Sequence, residues 1–231
     1  MKMTAETIHC IKEDAIKRYP EESCGVIIDG HYISISNIHP EPTKQFRLDP
    51  LEYATVGTID AIIHSHTNGS KEPSELDMIQ QARTGLPWGI LSCNGPDTSE
   101  VIWLDPEGEQ EPLIGRSFLH GINDCYSLVR AWYKEEKNIT LKDFPRNNNW
   151  WDKGENLYVD HCEDAGFRVL DKDEPLQIGD VFSMRIKSPV PNHGGVYIGD
   201  GKVLHHLNGQ LSRRQQLGRW KDKIDYWIRL K

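Results

Sequence analysis

No stretch of this sequence approaches the ~20 consecutive apolar residues that a membrane-spanning helix needs. Positive charge is also in deficit, with 27 lysines and arginines against 35 aspartates and glutamates and a net charge of −8. That balance argues against a nucleic-acid binder, whose footprint would be a basic face. The Arg213-Arg214 pair reads as a solvated turn. Cysteine is sparse: five residues, at 10, 24, 93, 125 and 162, an odd number with no C-x-x-C spacing. Free thiols in a reducing compartment are expected, and a disulfide framework is not; Cys10 and Cys162 lie within helical patterns and Cys24 and Cys93 within apolar strands, so most are expected to be buried. The opening MKMTAETIHCIKEDAIKRYP is charged throughout and lacks the apolar centre of a signal peptide. What is present suits packed cores: 37% hydrophobic and 27% charged residues, over 231 residues. That length suits two domains of roughly 100 to 130 residues each.

The first half alternates helices and strands. Thr4 can cap a helix whose apolar positions Ile8, Ile11, Ala15, Ile16 and Tyr19 recur at helical spacing, with Pro20 ending it. CGVIID and HYISISNI read as strands joined across Asp29-Gly30, a strong hairpin turn. Asp49-Pro50 can open a helix. AIIHS reads as a buried strand, Ser74 to Thr84 as a helix stopped by Gly85, and WGILSC and EVIWL as further strands. This is a mixed α/β domain over residues 1–105. The polar, proline-interrupted stretch DPEGEQEPLIGRS predicts a linker over 106–117.

A second pattern starts at residue 118. A helix is expected from Asp124 to about Lys137, then a polar loop with RNNNWW, then a second helix ending at Gly166. Strands follow in DVFSMRI, HGGVYIG, KVLHHL, QLSRR and DYWIRL. Gly199-Asp200-Gly201 and Asn208-Gly209 supply turns between them. Helices first and an antiparallel sheet afterwards make residues 118–231 an α+β domain.

Two constellations carry chemistry. In IIHSHTNGSKEPSELDMI, His64 and His66 sit two apart, which on a strand places both imidazoles on one face, about 6 to 7 Å apart at the backbone. Asp77 follows eleven residues after His66, in the first turn of a helix, where the positive end of the dipole favours a carboxylate. Two histidines, a carboxylate and one open position form the ligand set of a catalytic zinc. Each piece has a plainer explanation: a lone His-x-His is more often structural, and Ser74-x-x-Asp77 alone is a capping box. Their conjunction, with Glu22 in PEESCGVII upstream, resembles the JAMM/MPN metalloprotease signature over residues 1–105. The resemblance implies that His64, His66 and Asp77 bind zinc, that Glu22 is the general base, and that Ser74 helps stabilise the oxyanion. Thr67 departs from the proline that many members carry after the second histidine, a change that bears on loop stiffness and not on ligation.

In NDCYSLVRAWY, Cys125 falls just inside a helix N-terminus, where the dipole favours a thiolate. Burial in an amphipathic helix would equally explain an isolated cysteine. His193 opens one strand and His205 lies on the next, so the pairing of those strands can set the imidazoles side by side. A cysteine on a helix, a histidine facing it and a third orienting group make a workable nucleophile set. This half resembles the NlpC/P60 cysteine peptidases, which have a papain-like layout, over residues 117–231. The Asp-Cys helix start, LQIGDVF and HGGVYIGDGKVLHH carry the likeness. It implies Cys125 as nucleophile, His193 as base and His205 as orienter, with His206 the competing choice. Tyr126 stands where the wall-degrading members usually carry a small residue.

The pairing of the two halves resembles a family of lambda-like phage tail tip assembly proteins. The resemblance implies a peptidase with zinc in one half and a reactive cysteine in the other. Its expected partners are other tail tip proteins, with a peptide or the stem peptide of peptidoglycan as substrate; no nucleic acid and no membrane span are expected. Three roles remain open: processing of tail proteins during assembly, a virion-carried wall endopeptidase, or a non-catalytic scaffold. The expected location is the host cytoplasm during assembly, or the tail tip of the virion.

Overall fold

Thr4 accepts a hydrogen bond from the Thr7 amide at 3.1 Å and so opens helix α1 (Ala5–Arg18). Its buried stripe is Thr7, Ile11 and Ala15, four residues apart on one face. Ile16, expected on that face, is exposed. Strands β1 (Cys24–Ile28) and β2 (His31–Ile35) form an antiparallel hairpin. Asp29 and Gly30 turn it with φ of 50° and 77°, the left-handed pair that matches strand twist. Asp49 caps the single turn α2 (Pro50–Tyr53). Strand β3 (Ala61–Thr67), helix α3 (Glu75–Thr84) and strand β4 (Trp88–Cys93) make a parallel crossover, and β5 (Ile102–Leu104) runs antiparallel to β4. The sheet order is β2-β1-β3-β4-β5.

The computed structural model describes residues 3–105 and 111–231, and the chain divides into two compact units, Met1–Glu109 and Gln110–Lys231. In the first unit, Ile11 and Ala15 of α1 pack with Ile27, Ala61, Ile63, Leu91 and Cys93. Ala61 and Ile63 thus face α1. Strand alternation turns Ile62, His64 and His66 to the opposite face.

In the second unit, Asp124 caps helix α4 (Cys125–Lys137) by accepting from the Ser127 amide, and Asn138 ends it in a left-handed turn. Six antiparallel strands follow: β6 (Phe167–Val169), β7 (Val181–Met184), β8 (His193–Gly199), β9 (Lys202–His205), β10 (Arg213–Gln216) and β11 (Ile224–Leu230). Their order is β10-β9-β8-β7-β11-β6. Leu128, Val129, Trp132 and Tyr133 of α4 form a core with Phe167, Val181, Val196, Leu204 and Ile228. The fold is therefore a mixed α/β unit followed by an α+β unit.

Three expectations are corrected. The helix expected to end at Gly166 is the single turn α5 (Leu157–Asp160) followed by turns, and β6, formed directly after it, was not anticipated. Of the expected linker, residues 106–110 lie outside the described residues. Leu113 and Arg116 are instead buried in the second unit, where the Arg116 amide donates to Ser212 Oγ at 2.9 Å. Cys10, expected to be buried on a helical pattern, is exposed because the buried stripe of α1 passes through Thr7 and Ile11 on another side. Among the described residues, no helix is long and apolar enough to cross a membrane.

Candidate metal and thiol sites

Strand β3 carries His64 and His66 on one face, and the first turn of α3 brings Asp77 to them. The Nε2 atoms of the two histidines lie 3.1 Å apart. His64 Nε2 is 3.2 Å from Asp77 Oδ1, and His66 Nε2 is 3.2 Å from Oδ2. The carboxylate is aimed by the helix cap. Ser74 N and Ser74 Oγ both donate to Asp77 Oδ2 at 2.7 Å, and the Asp77 amide donates back to Ser74 Oγ. His66 Nδ1 donates to the Ser70 carbonyl at 2.8 Å, so in the neutral ring Nε2 carries the lone pair that can ligate a cation, and in the protonated ring Nε2 donates to Asp77 Oδ2. His64 is fully buried, with Phe46 stacked on its ring at 4.4 Å and the edge of Trp88 at 5.6 Å.

The electrostatics bind the three groups together. Burial pushes the Asp77 carboxyl up, but the charges and hydrogen bonds of His64 and His66 outweigh it and hold the group well below the usual range. Burial dominates at His64 and lowers its pKa. At His66 the pull of burial is overcome by Asp77, the Ser70 carbonyl and Glu22, and the pKa rises.

Glu22 reaches this site through the sheet. Cys24 pairs with His64, and the Ser65 amide donates to the Ser23 carbonyl at 2.9 Å, so the same register sets Glu22 opposite His66. The side chain is buried. Burial first, then repulsion by Asp77, raises its pKa to about 7 against the opposing attraction of His66. A carboxyl at that value can both take and give a proton near neutrality.

The donor set fits a zinc-sized cation. One donor atom from each of His64, His66 and Asp77 lies within 4.8 Å of the others. A tetrahedral zinc with bonds of about 2.0–2.1 Å separates its ligand atoms by about 3.3 Å. The observed 3.1 and 3.2 Å separations are close to that edge.

In the second unit, Cys125 is the first residue of α4, directly after the Asp124 cap. Its Sγ lies 3.3 Å from the Tyr158 hydroxyl. His193 opens β8 and His205 ends β9, and His193 Nε2 lies 3.1 Å from His205 Nδ1. A Cβ on Gly195 would stand 2.7 Å from His205 Cβ, so glycine is what allows the two strands to meet here.

The proton positions in this row follow from its far end. The Trp220 indole can only donate, and it donates to Gln215 Oε1 at 2.8 Å, which fixes the amide orientation. The same oxygen accepts from His205 Nε2 at 2.9 Å. A neutral His205 then has its lone pair at Nδ1, where it accepts from His193 Nε2. That leaves the lone pair of His193 at Nδ1. His206, the competing third residue, is also buried, but its Nε2 bonds the Gln210 carbonyl at 3.1 Å and its ring meets Phe118. His205 and not His206 touches His193.

Burial opposes the expected thiolate. Burial, then the charge of Asp124, pushes the Cys125 thiol up, against the opposing effects of Tyr158 and the Gly194 amide. Burial, then His205 and His206, pushes His193 down to about 3. Burial thus favours the neutral forms of both Cys125 and His193.

Comparison with known proteins places the whole chain. It is 36% identical over 239 residues to the tail tip assembly protein K of Escherichia phage N15, a match covering 99% of this chain and 96% of that protein. The chain belongs to the tail tip assembly protein K family. The K protein of Escherichia phage lambda is 39% identical over 178 residues, 76% of this chain and 81% of its own. Residues 4–104 match the family of prokaryotic homologs of the JAB domain, and residues 115–228 match the NlpC/P60 family. Among solved structures, NlpC1 from Trichomonas vaginalis is similar at 12% identity and a TM-score of 0.34, over 91% of this chain and 68% of that one.

This K-family chain thus carries Glu22, His64, His66, Ser74 and Asp77 within its JAB-like half, and Cys125, His193 and His205 within its NlpC/P60 half. Sequence reasoning missed Phe46, Tyr158, Arg146 and Gln215. The sequence gives Tyr158 and Gln215 no motif, and Arg146 sits in a polar loop where a charge is ordinarily solvated. Here it is buried between Asp124 and Asp143.

Proposed function

We propose that this K-family member is a peptidase with two centres, a zinc site of the JAMM type and an NlpC/P60 cysteine site, that cuts tail proteins in the host cytoplasm as the tail tip is assembled. The observation that carries the first centre is the convergence of His64, His66 and Asp77 at 3.1 to 3.2 Å beside a buried Glu22. A zinc ion held by those three residues would supply a Lewis acid and a bound water with a pKa near 7. Glu22 would take a proton from the attacking water and return it to the departing amine. Ser74 would turn its hydroxyl from Asp77 Oδ2 to the developing oxyanion.

In the second centre, the Cys125 thiol gives its proton to His193 Nδ1 as Sγ attacks the scissile carbonyl. The imidazolium then protonates the amine as it leaves, and a thioester remains. Water, deprotonated by His193, hydrolyses the thioester and restores the thiol. His205 holds the His193 ring in the tautomer this sequence requires. Intact Glu22 and Cys125 favour catalysis over a scaffold role, which needs neither.

The test is cleavage of purified tail tip proteins by the full chain, with Glu22→Gln and Cys125→Ala introduced singly and together. Each variant should abolish one set of cuts, and the double variant all of them. Tail proteins left uncut by the unsubstituted chain, together with normal tails from the double variant, would rule out a peptidase role.

A further inference from the structure

Beside Cys125 and His193 lies a cavity of about 270 Å³ that both residues line. Its volume is just under the ~300 Å³ at which pockets for drug-sized ligands begin, so it holds one or two large side chains. Tyr126, Phe144, Trp150, Trp151, Leu157 and Tyr158 make its wall. Its carboxylate and its guanidinium are committed to each other. Arg146 donates from Nε to Asp124 Oδ2 at 2.9 Å and from Nη2 to Asp124 Oδ1 at 3.0 Å, and its Nη1 reaches Asp143 Oδ1 at 3.0 Å. His161, also in the lining, is stacked on Phe144 at 4.4 Å.

We infer that the cysteine centre selects a polypeptide with a bulky, uncharged apolar side chain next to the scissile bond, and disfavours the charged stem peptide of a cell wall. This inference rests on the peptidase role of Cys125 proposed above and specifies its substrate. A carboxylate or ammonium entering this wall would lose its hydration, and Asp124 and Arg146, already engaged with each other, offer it no free countercharge. An aromatic or branched aliphatic side chain has no charge hydration to lose and gains by burying apolar surface. Selection between substrates is this difference in binding, and it acts against charge as much as for apolar bulk.

The probes are acetyl-Ala-Xaa-Ala amides with Xaa as Phe, Trp, Leu, Glu or Lys, used to protect Cys125 from iodoacetamide in the full chain. Mass spectrometry reads the adduct on the Cys125 peptide, so the exposed Cys10 does not interfere. The Phe, Trp and Leu peptides should protect at concentrations roughly 10- to 100-fold lower than Glu or Lys, the range expected from burying one large apolar side chain. Leu157→Lys should shift the preference towards the Glu peptide. Should that variant lose its fold by circular dichroism, the series on the unsubstituted chain decides alone. Equal or better protection by the charged peptides, or none by the apolar ones up to their solubility, overturns the inference. The same samples are assayed for cleavage: selective protection without turnover sinks the peptidase role and leaves the binding preference standing.

Discussion

Arg146 grips Asp124 with two parallel hydrogen bonds, and the same carboxylate caps the helix that begins at Cys125. Asp124 Oδ1 accepts from the Ser127 amide and Oδ2 from the Gly121 amide, each at 2.9 Å. The helix start at Cys125 is therefore anchored by Arg146, 22 residues beyond Asp124. Breaking a buried pair by removing one partner costs about 3–5 kcal/mol, because the other charge is stranded. Arg146→Met should lower the melting temperature of the second unit by that much stability and leave the first unit unchanged. The cost of Arg146→Met with Asp124→Asn together should be well under the sum of the two. Calorimetry of the three variants checks both statements.

Acid should weaken the second unit in two stages. His193 is held near 3 in the fold, against about 6.5 in an unfolded chain, so the unfolded state takes up the proton first. Its contribution is complete above about pH 6.5 and is lost progressively as the pH falls towards 3. Asp124 is depressed below the usual carboxylate range, so its contribution is present above about pH 4 and lost below it. Urea midpoints of the second unit measured from pH 7.5 to 4.5 should fall, and His193→Gln should flatten that slope. A midpoint independent of pH over this interval would contradict the buried neutral histidine.

Protein purified without chelator should carry one zinc per chain. His64→Ala or Asp77→Ala should remove it, since two remaining protein ligands make a weak site. Glu22→Gln should keep the metal while losing hydrolysis, because Glu22 stands beside the three donors and is not counted among them. Elemental analysis decides the matter, and loss of metal with the Glu22 variant would move that residue into the ligand set.

Among the five thiols, Cys10 should alkylate first at neutral pH because it is exposed, and Cys125 second. Cys24, Cys93 and Cys162 are buried with raised pKa values, Cys24 to about 12. His193→Ala should slow Cys125, since the thiol loses its proton acceptor. EDTA should change neither rate. Time-resolved mapping of iodoacetamide adducts tests the order; Cys125 labelling no faster than Cys162 would remove the case for a reactive thiol.

Most strands and caps were legible because they are written locally. Thr4, Ser74, Asp124 and Gly85 act within four residues of themselves, and Asp29-Gly30 is a turn wherever it occurs. The three clustered donors were legible for a related reason, since strand alternation and a helix cap fix His64, His66 and Asp77 within fourteen residues of chain. The resting protonation of Cys125 was not legible. It depends on how deeply the thiol and His193 are desolvated by distant segments, and a sequence window sees the helix start without Tyr158 and the other distant residues around it. Ile16 and Cys10 misled for the opposite reason: helical spacing admits several faces, and only packing against Ile27, Ile63 and Leu91 selects one. Arg146 was invisible because its role exists only through Asp124, 22 residues back along the chain, and Gln215 because its role needs β10 paired against β9.

The row from Trp220 through Gln215 and His205 to His193 has a direction, like a set of arrows laid head to tail. Its heading is set at the indole, which can point only one way. With a phenylalanine at position 220, the Gln215 amide is free to rotate and present its NH₂ to His205 Nε2. Each arrow beyond it then reverses, and His193 turns a hydrogen outward where it now offers a lone pair. An aromatic residue outside the Cys125, His193 and His205 group therefore acts as a compass for His193, and erasing it would leave every atom of that group in place with no fixed heading.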